Sequence, residues 1–321
     1  MKKLLVTGGA GFIGSHLIKK LIDKHKIICV DNFNKYYDPK LKKDRIKNLL
    51  KNKNFKLCKI NIADFKGLKE IFEKEKIDIL VHLAAQAGVR YSLVNPFVYE
   101  KTNVLGTVNL LELSKDYKIK KFIFASSSSV YGNNKKAPFS EDNKLDNPAS
   151  LYGATKIAGE AVCKSYYSLY KIPICALRFF TVYGPWGRPD MAYFKFTKAL
   201  FEDKPIDVYN FGRLSRDFTY IDDIIDGILK AINYNFDFEI INLGNNKPIN
   251  LLYFIKVIEE ATGKKAKKKM MGMQKGDVKR TWADIGKAKK LLGWQATTDI
   301  KKGIDRFVKW YKKYHEKNIN N

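Results

Sequence analysis

The chain opens on a short, mostly apolar run at 3–6 that breaks off at Thr7-Gly8-Gly9-Ala10-Gly11-Phe12-Ile13-Gly14. Apolar residues then recur at Leu17, Ile18, Leu21 and Ile22, the spacing of one helix face. A brief apolar run bounded by glycine predicts a buried strand, so the opening reads as strand, turn and helix. Similar runs at 27–30, 55–60, 77–83 and 121–125 read as further strands, with helical stretches between them. Two helices are expected at 99–117 and 150–170. The second has Pro148 and Ser150 as a start signal and small or apolar residues at 154, 157, 158, 161 and 162. Strands alternating with helices predict an α/β protein on a parallel sheet. No repeat or disordered linker interrupts the pattern, and only 317–321 read as a frayed end.

The glycines at 8, 11 and 14 turn this outline into a site. Between a strand and a helix, Gly-x-x-Gly-x-x-Gly permits a tight turn, lets backbone approach a pyrophosphate and allows the helix to pack close. The helix start then offers amide donors to phosphate. The strand at 27–30 ends in Asp31-Asn32, where an acid about 20 positions after the glycine loop suits a ribose 2′-hydroxyl and repels a 2′-phosphate. The expectation is NAD on a Rossmann-type doubly wound sheet, touched by Gly8, Gly11, Phe12, Ile13, Gly14, Asp31 and Asn32. Leu83, Ala84 and Ala85 follow the strand at 77–83 and leave room for cofactor on the carboxyl edge. Asn103, in the helix at 99–117, is expected to brace a catalytic lysine. His82 reads as a packed strand residue, and metal binding is not expected.

That lysine is Lys156, four residues after Tyr152, a spacing that puts both on one helix face about 5–6 Å apart at Cβ. An ammonium beside a phenol favours the phenolate, so the Tyr152 pKa is expected to fall from its usual value of about 10. Such a tyrosine exchanges a proton with an alcohol. Ser126-Ser127-Ser128-Ser129, at the end of the strand at 121–125, brings hydroxyls to the same place. Tyr-x-x-x-Lys alone is weak evidence; the upstream dinucleotide site gives it weight.

At 321 residues with 45% hydrophobic content, the chain has material for one large α/β domain or a main domain with a smaller partner. Cys29, Cys58, Cys163 and Cys175 are far apart in sequence, which points to reduced thiols in a cytoplasmic protein rather than disulfides or zinc. The apolar opening is too short for a signal peptide and no membrane-length run follows. The net charge of +27 is spread from end to end, with a modest cluster at 264–269 and a basic tail. Scattered lysine is a solvated surface, so no nucleic-acid partner and no membrane partner are expected, although anionic substrates are favoured.

The glycine loop, Asp31-Asn32, Leu83-Ala84-Ala85, Asn103, the serine run and Tyr152-x-x-x-Lys156 together resemble the extended short-chain dehydrogenase/reductases that modify nucleotide sugars. Three longer blocks are similar to the bacterial and plant UDP-glucuronate 4-epimerases: Ala85-Gln86-Ala87-Gly88-Val89-Arg90-Tyr91-Ser92, Arg178 through Met191, and Arg216-Asp217-Phe218-Thr219-Tyr220-Ile221-Asp222-Asp223. The resemblance runs nearly end to end. It implies a Rossmann domain at 1–175 with a return near 215–240, and a smaller C-terminal α/β domain for a UDP-sugar at 176–214 and 241–321. Where the family commonly has Asp-Ile against adenine, this chain has Asn61-Ile62, whose amide oxygen still accepts a hydrogen bond. A strand at 205–209, Arg213 and Arg216 for the diphosphate, and Gln274 with Asp277 in a segment closing over the nucleotide complete the substrate side. Trp282 and Trp294 read as core anchors. Relatives pair through two helices per subunit, which implies a homodimer by a four-helix bundle from 99–117 and 150–170.

The reaction implied is oxidation at C4, turning of the 4-keto sugar, and reduction from the other face, with Tyr152 as base, Lys156 as its support and Ser127 sharing the proton. Dehydratases and UDP-glucuronate decarboxylases of this kind carry acids where this chain has Ser127, Ser128 and Ser129, which disfavours elimination. Ser127, Ser128 and Thr181 are expected to fix the sugar carboxylate by hydrogen bonds, with Arg188 as a nearby cation that takes part in closing the active site. The alternatives are 4-epimerisation of UDP-N-acetylglucosamine or UDP-glucose, and UDP-glucuronate decarboxylation.

Overall fold

The computed structural model of the chain describes residues 1–274 and 276–319. The frayed end expected at 317–321 lies, in its side chains and at 320–321 altogether, outside the described residues, as does Lys275 of the closing segment. Among the described residues the first six strands are β1 (Lys3–Thr7), β2 (Lys26–Val30), β3 (Phe55–Cys58), β4 (Ile79–His82), β5 (Lys121–Ser127) and β6 (Ile174–Phe179). The remainder are β7 (Thr181–Tyr183), β8 (Ile206–Val208), β9 (Ser215–Tyr220), β10 (Phe238–Leu243), β11 (Pro248–Asn250) and β12 (Lys268–Met270).

Seven of them form one sheet in the order β10-β6-β5-β4-β1-β2-β3, with every neighbouring pair parallel. The order reverses between β1 and β4, and the crevice at the carboxyl ends of strands at such a reversal is where ligands collect. The strands are apolar on both faces because both faces are covered. Leu4 and Val6 of β1, Ile79 and Val81 of β4, and Ile123 of β5 belong to one cluster of buried residues. Their neighbours Leu5, Leu80, Phe122 and Phe124 belong to the other. That is the two-residue period of a strand feeding two cores at once.

Helix Phe12–Leu21 and helix Ile221–Asn233 cover the first face, and helices Phe65–Lys74, Gly106–Asp116 and Leu151–Tyr170 the second. β3 and β4 are shorter than the apolar runs that predict them: Ile60 and Leu83, past their carboxyl ends, line the crevice, and Ile77 is buried ahead of β4. The expected helix at 99–117 is also modified. Glu100–Leu105 is wound as a π-helix before the regular helix Gly106–Asp116, a local widening common at functional sites.

A three-stranded sheet, β11-β9-β7, and the parallel pair β12-β8 sit over the carboxyl edge with helices Ala192–Phe201, Leu251–Thr262 and Ile300–Ile319. The chain re-enters the large sheet through helix Ile221–Asn233 and β10, while Ser215–Tyr220 pairs with β7 and β11. Among the described residues no helix is long and apolar enough to cross a membrane.

Candidate active site

The turn after β1 is held tightly. Gly8 sits at φ +68° and its N–H donates to the Val30 carbonyl at 2.7 Å, tying the loop to the end of β2. A Cβ on Gly14 would stand 2.3 Å from the Gly8 carbonyl oxygen, so only glycine lets the helix close on the loop. Helix Phe12–Leu21 has no side-chain cap, which leaves its first amides free for an anion. The Asp31 carboxylate accepts from the N–H groups of Ala10 at 3.2 Å and Phe33 at 2.9 Å, and Lys42 Nζ lies 3.7 Å away. This cradle fits a dinucleotide, with pyrophosphate on the glycine loop and ribose at Asp31 and Asn32.

Across the crevice, Ser150 Oγ accepts the Gly153 N–H at 3.1 Å and starts helix Leu151–Tyr170, as the sequence predicts. Tyr152 and Lys156 share one face of it and both line the crevice. The serine run leaves β5 in a tight turn, with Ser127 Oγ accepting the Ser129 N–H at 3.2 Å. The Ser127 hydroxyl faces the Tyr152 phenol closely enough to pull its pKa down. Lys156 does not act on that phenol as expected. Its Nζ donates to the Ala125 carbonyl at 2.7 Å, 5.0 Å from the centre of the Phe124 ring. Burial holds the Tyr152 pKa above the usual range; the Ser127 hydroxyl and the Arg188 charge pull it back, and Asp190 opposes them. Burial pushes Lys156 down to about 8. The expected fall at Tyr152 is therefore corrected: desolvation outweighs the neighbouring charges, and the lysine is engaged elsewhere.

The crevice continues as a cavity of about 800 Å³, lined on the sugar side by Ser128, Thr181, Arg188 and Asp190 and further out by Arg216 and Asp277. Arg188 grips Asp190 with two bonds, Nε to Oδ1 at 3.0 Å and Nη2 to Oδ2 at 2.5 Å, and Tyr36 Oη donates to the same carboxylate at 3.1 Å. The guanidinium thus reaches the site with its charge balanced. At the outer mouth Arg90 Nη2 donates to Asp277 at 3.3 Å, and the Arg90 guanidinium lies 4.7 Å from the Tyr209 ring centre. The expected His82 packing is present: the ring is buried between the hydroxyls of Thr7 and Thr107. Trp294 is buried, whereas Trp282 is half-buried beneath Arg280.

Most predicted site residues line the cavity: Gly8, Gly11, Phe12, Ile13, Gly14, Asp31, Asn32, Ile62, Leu83, Ala84 and Ala85 do so. Four do not. Asn103 is buried with its amide on the Gln86 backbone and the Thr155 hydroxyl, so it braces the strand end and the helix rather than Lys156. Asn61 is exposed and its side-chain oxygen accepts the Ala63 N–H at 3.0 Å, closing its own turn. Arg213 points to solvent beyond the rim, leaving Arg216 alone of the pair on the cavity wall. Gln274 Oε1 is buried with no hydrogen-bond partner among the described residues and lies off the wall. Conversely, Tyr36 and Lys42 line the cavity without any sequence signal, since they follow Asp31 in a stretch with no motif. Arg90 and Asp190 lie inside the blocks that carry the resemblance, but nothing in their spacing marks them.

Comparisons agree with this geometry. The family description "GDP-mannose 4,6 dehydratase" matches residues 5–307. A UDP-glucuronate 4-epimerase of Thermodesulfobacterium geofontis is 48% identical over 310 residues, 96% of this chain and 95% of that protein. The structure of a Bacillus cereus UDP-glucuronic acid 4-epimerase in complex with UDP-glucuronic acid and NAD superposes with a TM-score of 0.91 at 39% identity, over 97% of this chain and 99% of that one. A Thermotoga maritima UDP-glucose 4-epimerase with UDP-glucose follows at TM-score 0.90 and 31% identity, covering 98% and 99%. The chain belongs to the extended short-chain dehydrogenase/reductases that act on nucleotide sugars, in the group of the UDP-glucuronate 4-epimerases.

Proposed function

We propose that the chain is an NAD-dependent 4-epimerase interconverting UDP-glucuronate and UDP-galacturonate. The observation that carries this reading is a serine loop without a carboxylate, facing Tyr152 and Lys156 at the end of a dinucleotide cradle. NAD supplies reversible oxidation at the sugar C4 when bound. Tyr152 Oη takes the proton of the 4-hydroxyl and returns it after the sugar has turned. Ser127, beside the phenol, shares that proton. Lys156, one turn on, supports the nicotinamide ribose. Arg216 and Asp277 take the diphosphate and nucleoside end.

A 4-keto glucuronate is a β-keto acid, which loses carbon dioxide when its C5–C6 bond stands perpendicular to the C4 carbonyl plane. Ser128, Thr181 and the charge-balanced Arg188 hold the carboxylate with that bond near the plane. Neutral hydroxyls suit the task, because they fix the carboxylate without protonating it.

The division of labour follows the two sheets: the large one, with its return through β10, holds the cofactor, and the smaller layer above it holds the UDP-sugar. Leu93, Val94 and Phe97 before the π-helical segment and Leu169 on the neighbouring long helix are exposed, with Phe97 81% accessible. Large apolar side chains left exposed on the short helices Tyr91–Val94 and Phe97–Tyr99 and on the long helix Leu151–Tyr170 support a homodimer through a four-helix bundle. Four unpaired cysteines, three of them buried, support a reducing, cytoplasmic setting.

The test is proton NMR of purified protein with UDP-glucuronate, beside UDP-N-acetylglucosamine and UDP-glucose. UDP-galacturonate is expected from the first; its absence overturns the proposal, and UDP-xylose with carbon dioxide would identify a decarboxylase.

A further inference from the structure

Arg45 lies in helix Pro39–Ile46, 1% exposed, and among the described residues it makes no ion pair. Its guanidinium is spent on backbone carbonyls and one tyrosine hydroxyl. Nε and Nη2 donate to the Trp186 carbonyl at 3.0 and 2.7 Å, and Nη2 also to the Gly187 carbonyl at 3.1 Å. Nη1 donates to Tyr37 Oη at 2.6 Å and reaches the Ala10 carbonyl of the glycine loop at 3.4 Å. One buried cation therefore joins the cofactor cradle to the two residues immediately before Arg188.

The segment it grips is under strain. Trp186 sits at φ +62°, a region costly for a side chain of this size. The ring is packed from the other side by Trp310 at 5.2 Å and Tyr314 at 5.1 Å. Tyr314 Oη in turn donates to Asp44, next to Arg45, at 2.7 Å. A strained turn persists when its surroundings over-determine it, and Arg45 supplies the polar half of that constraint.

We propose that Arg45 is a positioning residue that fixes the Arg188 turn against the glycine loop, so that the seat of the sugar carboxylate is set by the seat of the cofactor. The consequence for products rests on the epimerase reading given above. If the turn loosens, the carboxylate swings out of the C4 carbonyl plane. The C5–C6 bond then breaks, its electron pair passes into the C4–C5 enolate, carbon dioxide leaves and C5 takes a proton from solvent. The two electrons removed from C4 stay on the cofactor, so a UDP-4-keto-pentose and reduced nicotinamide accumulate together.

The experiment compares wild-type, Arg45→Lys and Arg45→Met holoenzyme. With UDP-glucuronate, carbon dioxide released per UDP-galacturonate formed is expected to rise at least tenfold in Arg45→Met and less in Arg45→Lys. Reduced-nicotinamide fluorescence rises in the same order. Without any substrate, hydrogen exchange at 184–191 and at 8–14 is expected to speed up together. Unchanged partition and unchanged exchange in a folded Arg45→Met overturn the proposal. Where Arg45→Met fails to fold, Arg45→Lys and Tyr37→Phe carry the same test, and unaltered exchange at 184–191 in both overturns it. A wild-type enzyme that does not epimerise UDP-glucuronate defeats the functional reading, while the exchange arm still decides the role of Arg45.

Discussion

Tyr152 holds its proton more tightly than a free phenol and must give it up on demand, and that tension organises the chemistry. Burial raises its pKa; the Ser127 hydroxyl and Arg188 pull it back. Replacing it with phenylalanine is expected to lower turnover by about 10²–10⁴-fold. NAD should stay bound, which steady-state rates and the nicotinamide content of the purified protein would measure. Lys156 presents the complementary case. Its pKa falls from 10.5 to about 8, so below about 8 the folded protein carries a buried charge that the unfolded chain solvates freely. Between 8 and 10.5 the unfolded state binds more protons, and stability rises with pH across that window. Lys156→Met should therefore abolish activity yet stabilise the cofactor-free protein by up to about 3 kcal/mol near neutral pH. Thermal melts across the window should show that gain vanish by its upper end; a gain that persists there contradicts the argument. Tyr152 and Lys156 were legible because a fixed spacing on a predicted helix carries them. That the two do not couple was not legible, because it depends on the Ala125 carbonyl, which no sequence pattern places beside Lys156.

At the scale of elements, the ends of β5 and β6 must be held at a set distance for Ser127 and Thr181 to face one substrate. Glu160, one turn beyond Lys156, does this. It takes two bonds from Arg178 on β6, at 2.9 and 2.8 Å, and one from the Ser126 hydroxyl on β5. Arg178 and Glu160 are 2% and 5% exposed. Removing one partner of a buried pair strands the other, so Glu160→Ala should cost about 3–5 kcal/mol in denaturant melts. Activity should fall further than the folded fraction. The strands and the long helix were legible from period and caps alone. The π-helical turn and the outward Arg213 were not: the first keeps a helical hydrophobic pattern, and the second is decided by which way the loop before β9 runs. Asn103 shows the same limit, since its amide is committed to the Gln86 backbone, which only the fold brings within reach.

On the whole molecule, the exposed apolar surface around Phe97 and the net charge of +27 bear on association. Phe97→Glu should shift the mass in light scattering from dimer to monomer with little change in fold by circular dichroism; a wild-type monomer would contradict the proposed bundle. The charge favours anionic nucleotide sugars at a distance and is screened by salt, so KM for a UDP-sugar should rise with ionic strength. The central claim is that the hydrogen removed from C4 returns to the same carbon on its opposite face. UDP-glucuronate deuterated at C4, incubated with the purified enzyme and followed by NMR, tests it directly. The account predicts UDP-galacturonate with the deuterium still at C4; loss of the label to solvent, or no inversion at C4, would contradict it.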